Sequence, residues 1–179
     1  MKKLIFLFTL ATTVASTACE KDSVSSVPDN LPRTTVPAEM RGTWMYGKFS
    51  TTEYWSTDPG TYIGNALQFA IAFQFEENGT YTHYFTASSV VAGVVTYQQS
   101  VTKGTLEIDA VGKLIKMHPY SSHYKRTQGG KTVEERDMTK QELSTNNSYS
   151  YTAGTEPGGT KALYLTISGT SSTLSFLKK

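Results

Sequence analysis

The chain has almost no cysteine, since Cys19 is the only one among its 179 residues. One cysteine excludes an internal disulfide, so the stability of the fold must come from other interactions. Histidine is also scarce, and His83, His118 and His123 lack the convergent spacing that a metal site requires. We therefore expect no metal and no cofactor, and we expect these histidines to be solvated or hydrogen-bonded on strands.

The chain lacks an excess of charge of either sign. It has 17 basic and 15 acidic residues, and two of the basic ones are Lys2 and Lys3 at the extreme N-terminus. The rest is close to neutral and has no basic stripe of the kind that binds phosphates. Nucleic acid is therefore excluded as an expected partner.

The chain also lacks an apolar run long enough to cross a bilayer as a helix, which takes roughly 20 residues. The apolar stretch at residues 4–10 follows the two lysines and precedes the small residues at positions 15–18. This order is typical of a signal peptide, so we expect residues 1–18 to be removed on export.

Ser16-Thr17-Ala18-Cys19 resembles the lipobox of bacterial lipoproteins. The resemblance implies that Cys19 carries lipid, including a fatty acid such as palmitate, and becomes the new N-terminus. Stable anchoring takes two or more acyl chains. We then expect a cell-envelope protein held on a membrane, most simply the outer membrane, on its periplasmic or its surface face. The other interpretation makes Cys19 an ordinary residue beside a secretory cleavage site.

Residues 19–40 are rich in serine, threonine and proline, and Pro28, Pro32 and Pro37 are half of the six prolines in the chain. This composition is typical of a flexible tether. We expect the folded domain to occupy residues 41–179, a length that can bury a core.

The domain has a β pattern. Residues 69–75 place Phe69, Ile71, Phe73 and Phe75 on one face of a strand. Asn78-Gly79 then indicates a hairpin, which we predict to turn as type I′ because both residues tolerate positive φ.

Similar short strands follow, separated by glycine turns. The strands are predicted at residues 80–87, 94–102, 105–109, 113–118, 120–127, 132–138, 149–153, 161–168 and 173–178. No amphipathic helix is evident. We predict an all-β fold, an antiparallel up-and-down meander of eight to ten strands that closes on itself or packs as two sheets, because exposed edges invite aggregation.

Three motifs give the domain a resemblance to a known family. Gly42-Thr43-Trp44, the hairpin at residues 75–81 and the Gly-Thr strand at residues 103–108 resemble the first strands of lipocalins and lipocalin-like lipoproteins. The resemblance implies a β-barrel in which Gly42 begins the first strand and Trp44 plugs the base. The chain lacks the family's Thr-Asp-Tyr motif. It also has Lys178 and Lys179 near the C-terminus, where the family has an arginine that stacks on the tryptophan.

The polar segment at residues 51–62 carries three aromatic residues, Tyr54, Trp55 and Tyr62. In a lipocalin this loop lies over the open mouth of the barrel. Aromatic rings beside hydroxyls and carboxylates suit an apolar ligand or the face of a sugar. The alternative is a closed lid that binds nothing.

Catalytic groups are sparse. Glu76 and Glu77 lie in the predicted turn, and the acidic residues at positions 134, 135 and 137 alternate with Arg136 on a solvated strand. No Gly-x-Ser-x-Gly elbow occurs. We therefore expect a protein that is not an enzyme.

Two classes of function remain. One is a binding module for a small apolar molecule or a glycan. The other is an interaction protein of a cell-envelope complex, with a filled barrel and no small ligand. Large side chains expected inside favour a filled barrel: Phe69, Ile71, Phe73, Phe75, Tyr97, Leu163, Leu165 and Ile167.

The lipid anchor can be tested directly. Cys19→Ala should abolish labelling by radioactive fatty acid, because no other cysteine can take the thioether. The variant should accumulate uncleaved or be released from the membrane. Labelling that persists in the variant would refute the anchor.

Overall fold

The computed structural model describes residues 27–28, 30–47, 55, 67–144 and 147–179. It confirms the all-β fold, with nine antiparallel strands in the described part of the chain. The strands are β1 Gly42–Tyr46, β2 Leu67–Phe75, β3 Thr80–Val91, β4 Val94–Asp109, β5 Leu114–Gln128, β6 Lys131–Asp137, β7 Ser148–Thr155, β8 Lys161–Ile167 and β9 Thr173–Lys178. A 3-10 turn, Ala38–Met40, and one short helix, α1 Lys140–Leu143, complete the elements. None of the described helices has the length and apolar character needed to span a membrane.

Eight strands form a ring of hydrogen-bonded neighbours. The order β4-β3-β2-β1-β9-β8-β7-β5 returns to β4 through the β4–β5 pair. β6 stands outside the ring, because it pairs with the C-terminal half of β5 whereas β7 pairs with the N-terminal end of β5. The predicted meander is therefore confirmed as a barrel-like ring with one extra edge strand.

Two breaks predicted from the sequence are wrong. β4 continues through Lys103-Gly104, and β5 continues through Pro119, so His118 and His123 lie on one strand. The register shifts between Lys103 and Gly104, which marks a bulge. Glycine is needed there because a Cβ would collide with the ring of Tyr81. In a sequence, a glycine is as compatible with a bulge inside a strand as with a turn between strands. Here it marks a bulge in the pair formed by β4 and β5.

The β2–β3 hairpin is confirmed, but its turn is not type I′. Gly79 has positive φ, 80°, and Asn78 does not. The N–H of Gly79 donates to the carbonyl of Glu76 over 3.1 Å, and the N–H of Glu76 donates to the carbonyl of Thr80 over 2.9 Å. This is a three-residue loop, a type I turn followed by a left-handed glycine. Asn78 contributes its side chain, whose Oδ1 accepts from the N–H of Thr80 over 3.1 Å.

One end of the ring is closed around Trp44, which is 1 % exposed. Its indole N–H donates to the carbonyl of Met40 over 2.6 Å. Lys178 lies over the Trp44 ring, with its Nζ 4.5 Å from the ring centre, and donates to the carbonyl of Arg41. Lys178 therefore supplies the cation over the tryptophan, at the place where lipocalins have an arginine. We call this the closed end and the opposite end of the ring the open end.

The segment before β1 packs on the closed end. Val36 and Met40 are completely buried. The N–H of Thr34 donates to the carbonyl of Leu106 over 2.8 Å, and the hydroxyl of Thr105 donates to the carbonyl of Pro32 over 2.7 Å. The packed domain thus begins near Pro32, before the predicted boundary at residue 41.

A pair of matched glycines can test this packing. Gly79 and Gly159 have φ of 80° and 83° and stand at the same place in turns with the same hydrogen bonds. A Cβ at Gly79 would collide with the carbonyl oxygen of Thr34, whereas one at Gly159 has no atom within 4 Å. Alanine at positive φ costs about 1 kcal/mol at either position, and we expect Gly79→Ala to cost at least about 1 kcal/mol more than Gly159→Ala.

Denaturant unfolding of the two variants gives this difference. Equal losses of unfolding free energy would show that the segment around Thr34 does not press on the turn.

Candidate functional site

The inside of the ring is filled at the closed end and partly exposed towards the open end. Inward-facing Phe75 and Leu106 have no exposed surface, whereas Phe69 is 42 % exposed. The rings of Phe73 on β2 and Tyr149 on β7 meet across the interior, with 6.4 Å between their centres. Tyr149 and His83 at the level of that contact are half-buried, and beyond it Ser100 is buried while the larger inward-facing side chains are half-buried: Tyr46, Ile71, Phe85 and Tyr124.

The residues expected to crowd the interior therefore divide into groups. Phe73, Phe75, Leu163 and Leu165 belong to the buried core, and Ile71 and Ile167 are half-buried. Tyr97 is buried, but its pairing with Ser88 places it on the outer face of the sheet. The interior is consequently less crowded at the open end than the alternation of residues indicated.

Five inward-facing residues lie side by side at one height of the ring, and they change from aromatic on β1 and β2 to polar on β4 and β5. The strand register places Trp44, Phe73, His83, Thr102 and Ser122 side by side on β1 to β5, all facing inward. The rings of Phe73 and His83 stack with 4.6 Å between centres. The hydroxyls of Thr102 and Ser122 form a hydrogen bond of 2.8 Å. The interior therefore has an apolar wall on β1 and β2 and a polar wall on β3 to β5.

His83 is the most distinctive group on this level. Burial lowers the pKa of its imidazole to about 4, so the ring is neutral at neutral pH and carries one N–H donor and one acceptor nitrogen. Within the part of the chain that the structure describes, neither nitrogen has a hydrogen-bond partner. The expectation of a hydrogen-bonded strand histidine is met at His118 and His123, which bind carboxylates of Glu107 and Asp137, and for half-buried His83 it stays a prediction.

Two phenol groups also face the interior, Tyr81 at the closed end of β3 and Tyr149 on β7. Burial raises the pKa of Tyr149. Burial, followed by proximity to Tyr149 and Tyr120, also raises the pKa of Tyr81. These hydroxyls stay protonated and uncharged, so they can donate or accept hydrogen bonds without attracting an ion of either sign.

An ion-pair group borders the open end on β5 and β6. Arg126 pairs with Glu134 over 3.3 Å, and Arg136 lies 5.8 Å from the ring centre of Tyr124. The Nε of Arg126 is buried and has no hydrogen-bond partner among the described residues. A buried N–H of this kind favours an acceptor group placed beside it.

Trp55 lies elsewhere, on the outer face of β4, β5 and β6. Its ring meets His123 edge-on, 5.4 Å between centres, in an open groove of about 540 Å³. His123 contacts Asp137 over 2.8 Å and Glu135 over 3.4 Å, and these hydrogen bonds raise its pKa. The expected placement of Trp55 over the mouth is not what the structure shows. Tyr54, Tyr62 and Cys19 lie outside the described residues.

A third groove, of about 650 Å³, lies between β5, α1 and the segment before β1. His118 stands in its wall, with Nε2 2.6 Å from a carboxylate oxygen of Glu107. That carboxylate also lies 3.9 Å from Lys116. The three side chains on this wall therefore satisfy one another.

The described residues contain no group of three or more histidine, aspartate, glutamate or cysteine side chains placed to hold a metal ion. Gly42, with φ of 94°, and Trp44 stand at the closed end and serve packing. Searches of protein-family models, curated proteins and solved structures found no match to this chain. The site therefore has to be interpreted from its own geometry.

The low pKa of His83 gives a pH dependence. The unfolded chain binds this proton with an ordinary pKa near 6.5, whereas the folded protein resists it down to about 4. Unfolding free energy should therefore fall by about 2 to 3 kcal/mol between roughly pH 7 and pH 4.5, and His83→Gln should remove most of that loss.

His123→Gln is the matched control. The raised pKa of His123 stabilises the folded protein at low pH. In His123→Gln the unfolding free energy should therefore fall at least as much between pH 7 and pH 4.5 as it does in the unaltered protein. Denaturant unfolding at several pH values measures all three proteins. A full acid-side loss in His83→Gln would contradict the assignment.

Proposed function

We propose that this protein is a binding module that takes one small amphipathic molecule into the open end of its ring. The observation that carries the proposal is neutral, half-buried His83, stacked on Phe73 and without a hydrogen-bond partner among the described residues. A ring nitrogen that is half-removed from water is stabilised by a hydrogen-bond partner. A ligand atom in the half-exposed interior would supply one.

The walls define the chemistry of the ligand. Tyr46, Phe69 and Ile71 offer apolar contact on one side, and the rings of Tyr46 and Phe69 stack with 5.2 Å between centres. His83 and the hydroxyl pair on β4 and β5 offer hydrogen bonds on the other. The Nε of Arg126 at the rim suits a carboxylate or another acceptor. These walls favour a mainly apolar molecule with a polar end over a glycan, and an eight-stranded ring has room for about one.

We also propose that the protein is an exported lipoprotein of the cell envelope, anchored through Cys19. The order of lysines, apolar residues, small residues and cysteine at positions 1–19 supports this proposal. The cation of Lys178 over Trp44 adds a feature that resembles the closed end of lipocalins. In this proposal the protein carries its ligand and does not transform it.

The second candidate is an interaction protein of an envelope complex with no small ligand. The contact between Phe73 and Tyr149 across the interior favours it, because that contact fills the ring at mid-height. The two candidates differ in whether anything occupies the space beyond this contact.

Native mass spectrometry can separate the candidates after the protein is exposed to bacterial and host lipid and glycan extracts. We expect one retained small molecule. Ala87→Trp should abolish its retention, because Ala87 faces inward beside Phe69 and an indole there fills the space. Ser150→Trp adds the same group to an exposed outer position and should retain the molecule.

Thermal melting of both variants controls for folding. If the unaltered protein retains nothing from any extract, the interaction-protein candidate replaces the binding module. If Ala87→Trp retains the molecule as well as Ser150→Trp does, the binding site is not the interior of the ring.

A further inference from the structure

The hairpin between β3 and β4 ends in a run of apolar residues that face solvent. Residues 90–95 are Val-Val-Ala-Gly-Val-Val, and we call them the apolar tip. Val90, Val91 and Val94 are 36 %, 72 % and 41 % exposed. The adjoining parts of β3 and β4 carry no charge, since residues 84–102 contain no Asp, Glu, Lys, Arg or His.

The fold does not require this composition. Ala92 and Gly93 form the two-residue turn with φ of 50° and 77°. Such a turn favours Asn, Asp or Gly at both positions, and alanine is strained at positive φ. A polar tip would satisfy the backbone better and would hydrate better. Apolar residues at a position where both backbone geometry and hydration favour polar ones indicate a contact surface.

The neighbouring turn adds basic charge beside the apolar tip. The N–H of Gly129, between β5 and β6, donates to the carbonyl of Val95 over 3.0 Å, so the two turns lie together. Lys131 follows that turn and is exposed, as is Val133 at 48 %. Aliphatic side chains next to an exposed lysine match the interface of a bilayer, with acyl chains below and anionic headgroups above.

We propose that the apolar tip inserts into the interface of a lipid bilayer that contains anionic phospholipid. A second copy of the chain is a poorer partner. The nearest free strand edge is β6, whose charged residues oppose pairing between copies. The tip of a hairpin also offers little unpaired backbone for a protein partner to extend.

The position of the apolar tip gives the insertion a consequence, which rests on the proposed function. Val91 follows Ala87 on β3, and Ala87 pairs with half-exposed Phe69 at the open end. Insertion would therefore bring the open end to the lipid surface. The ligand class that follows is a membrane lipid or its fatty acid, passing between bilayer and ring.

The test uses the full chain with Cys19→Ser, so that one introduced thiol carries an environment-sensitive fluorophore. Ala92→Cys places the label on the apolar tip. Gly158→Cys places it on the β7–β8 turn at the other end of the ring, where an added side chain meets no atom within 4 Å. With vesicles of phosphatidylcholine and phosphatidylglycerol, we expect a blue shift and quenching by lipid-borne quencher at Ala92 only.

Two exposed valines provide a matched pair of substitutions. Val91→Asp should raise the lipid concentration at half-maximal shift at least about tenfold, because it puts a charge where an aliphatic group enters the interface. Val111→Asp changes a 96 % exposed valine on the β4–β5 turn and should leave that concentration unchanged.

An Ala92 label that vesicles do not shift would overturn the proposal. So would a shift that appears without vesicles as the protein concentration rises, since that result means self-association. Ala87→Trp separates the two proposals, because it should abolish the retained ligand and leave the shift of the Ala92 label intact.

Discussion

The ring depends on the contact between Trp44 and Lys178. β1 and β9 share only two paired positions, Trp44 with Lys178 and Met45 with Leu177. So short a ladder is weak by itself, and the side chains at its end reinforce it. Trp44 fills the closed end, Lys178 covers its ring, and the carbonyls of Met40 and Arg41 accept from the two side chains. Burial lowers the pKa of Lys178, which is consistent with a cation that has exchanged water for an aromatic ring and a carbonyl.

Packing at the closed end carries most of the core. The segment from Pro32 to Met40 adds Val36 and Met40 to the core below Trp44, so apolar burial concentrates there. The core residues at that end stabilise the domain, and those beyond Phe73 can be half-exposed without loss of the fold. A neutral, half-buried histidine with no hydrogen-bond partner among the described residues is tolerated because packing elsewhere supplies the stability.

The two ends also differ in their surfaces. The turn at the end of β4 near the closed end is polar, with Asp109 accepting from the N–H of Gly112 over 2.9 Å. The β3–β4 turn at the open end is apolar and strained at Ala92. β6, the extra strand, carries charges of both signs, and its Arg136 pairs with Glu142 of the capping box that begins α1. These charges keep the free edge of the sheet solvated while the apolar tip remains open to contact.

The sequence by itself determined most of the strands, the class of fold and the packing role of Trp44. The alternation of apolar residues along β2 and the glycine-containing turns are local features of the sequence. They predict strands in any fold that buries one face of a sheet. Cys19 and the signal-like leader are likewise visible only in the sequence. The tertiary structure decided every feature that depends on which strands are neighbours. Register placed His83 beside Phe73 and Thr102, moved Tyr97 to the outer face and turned Gly104 into a bulge. Docking brought Val36 into the core although its neighbours have a tether's composition. Lys178 reached Trp44 because β9 returns to β1, and no local pattern encodes contacts so distant along the chain.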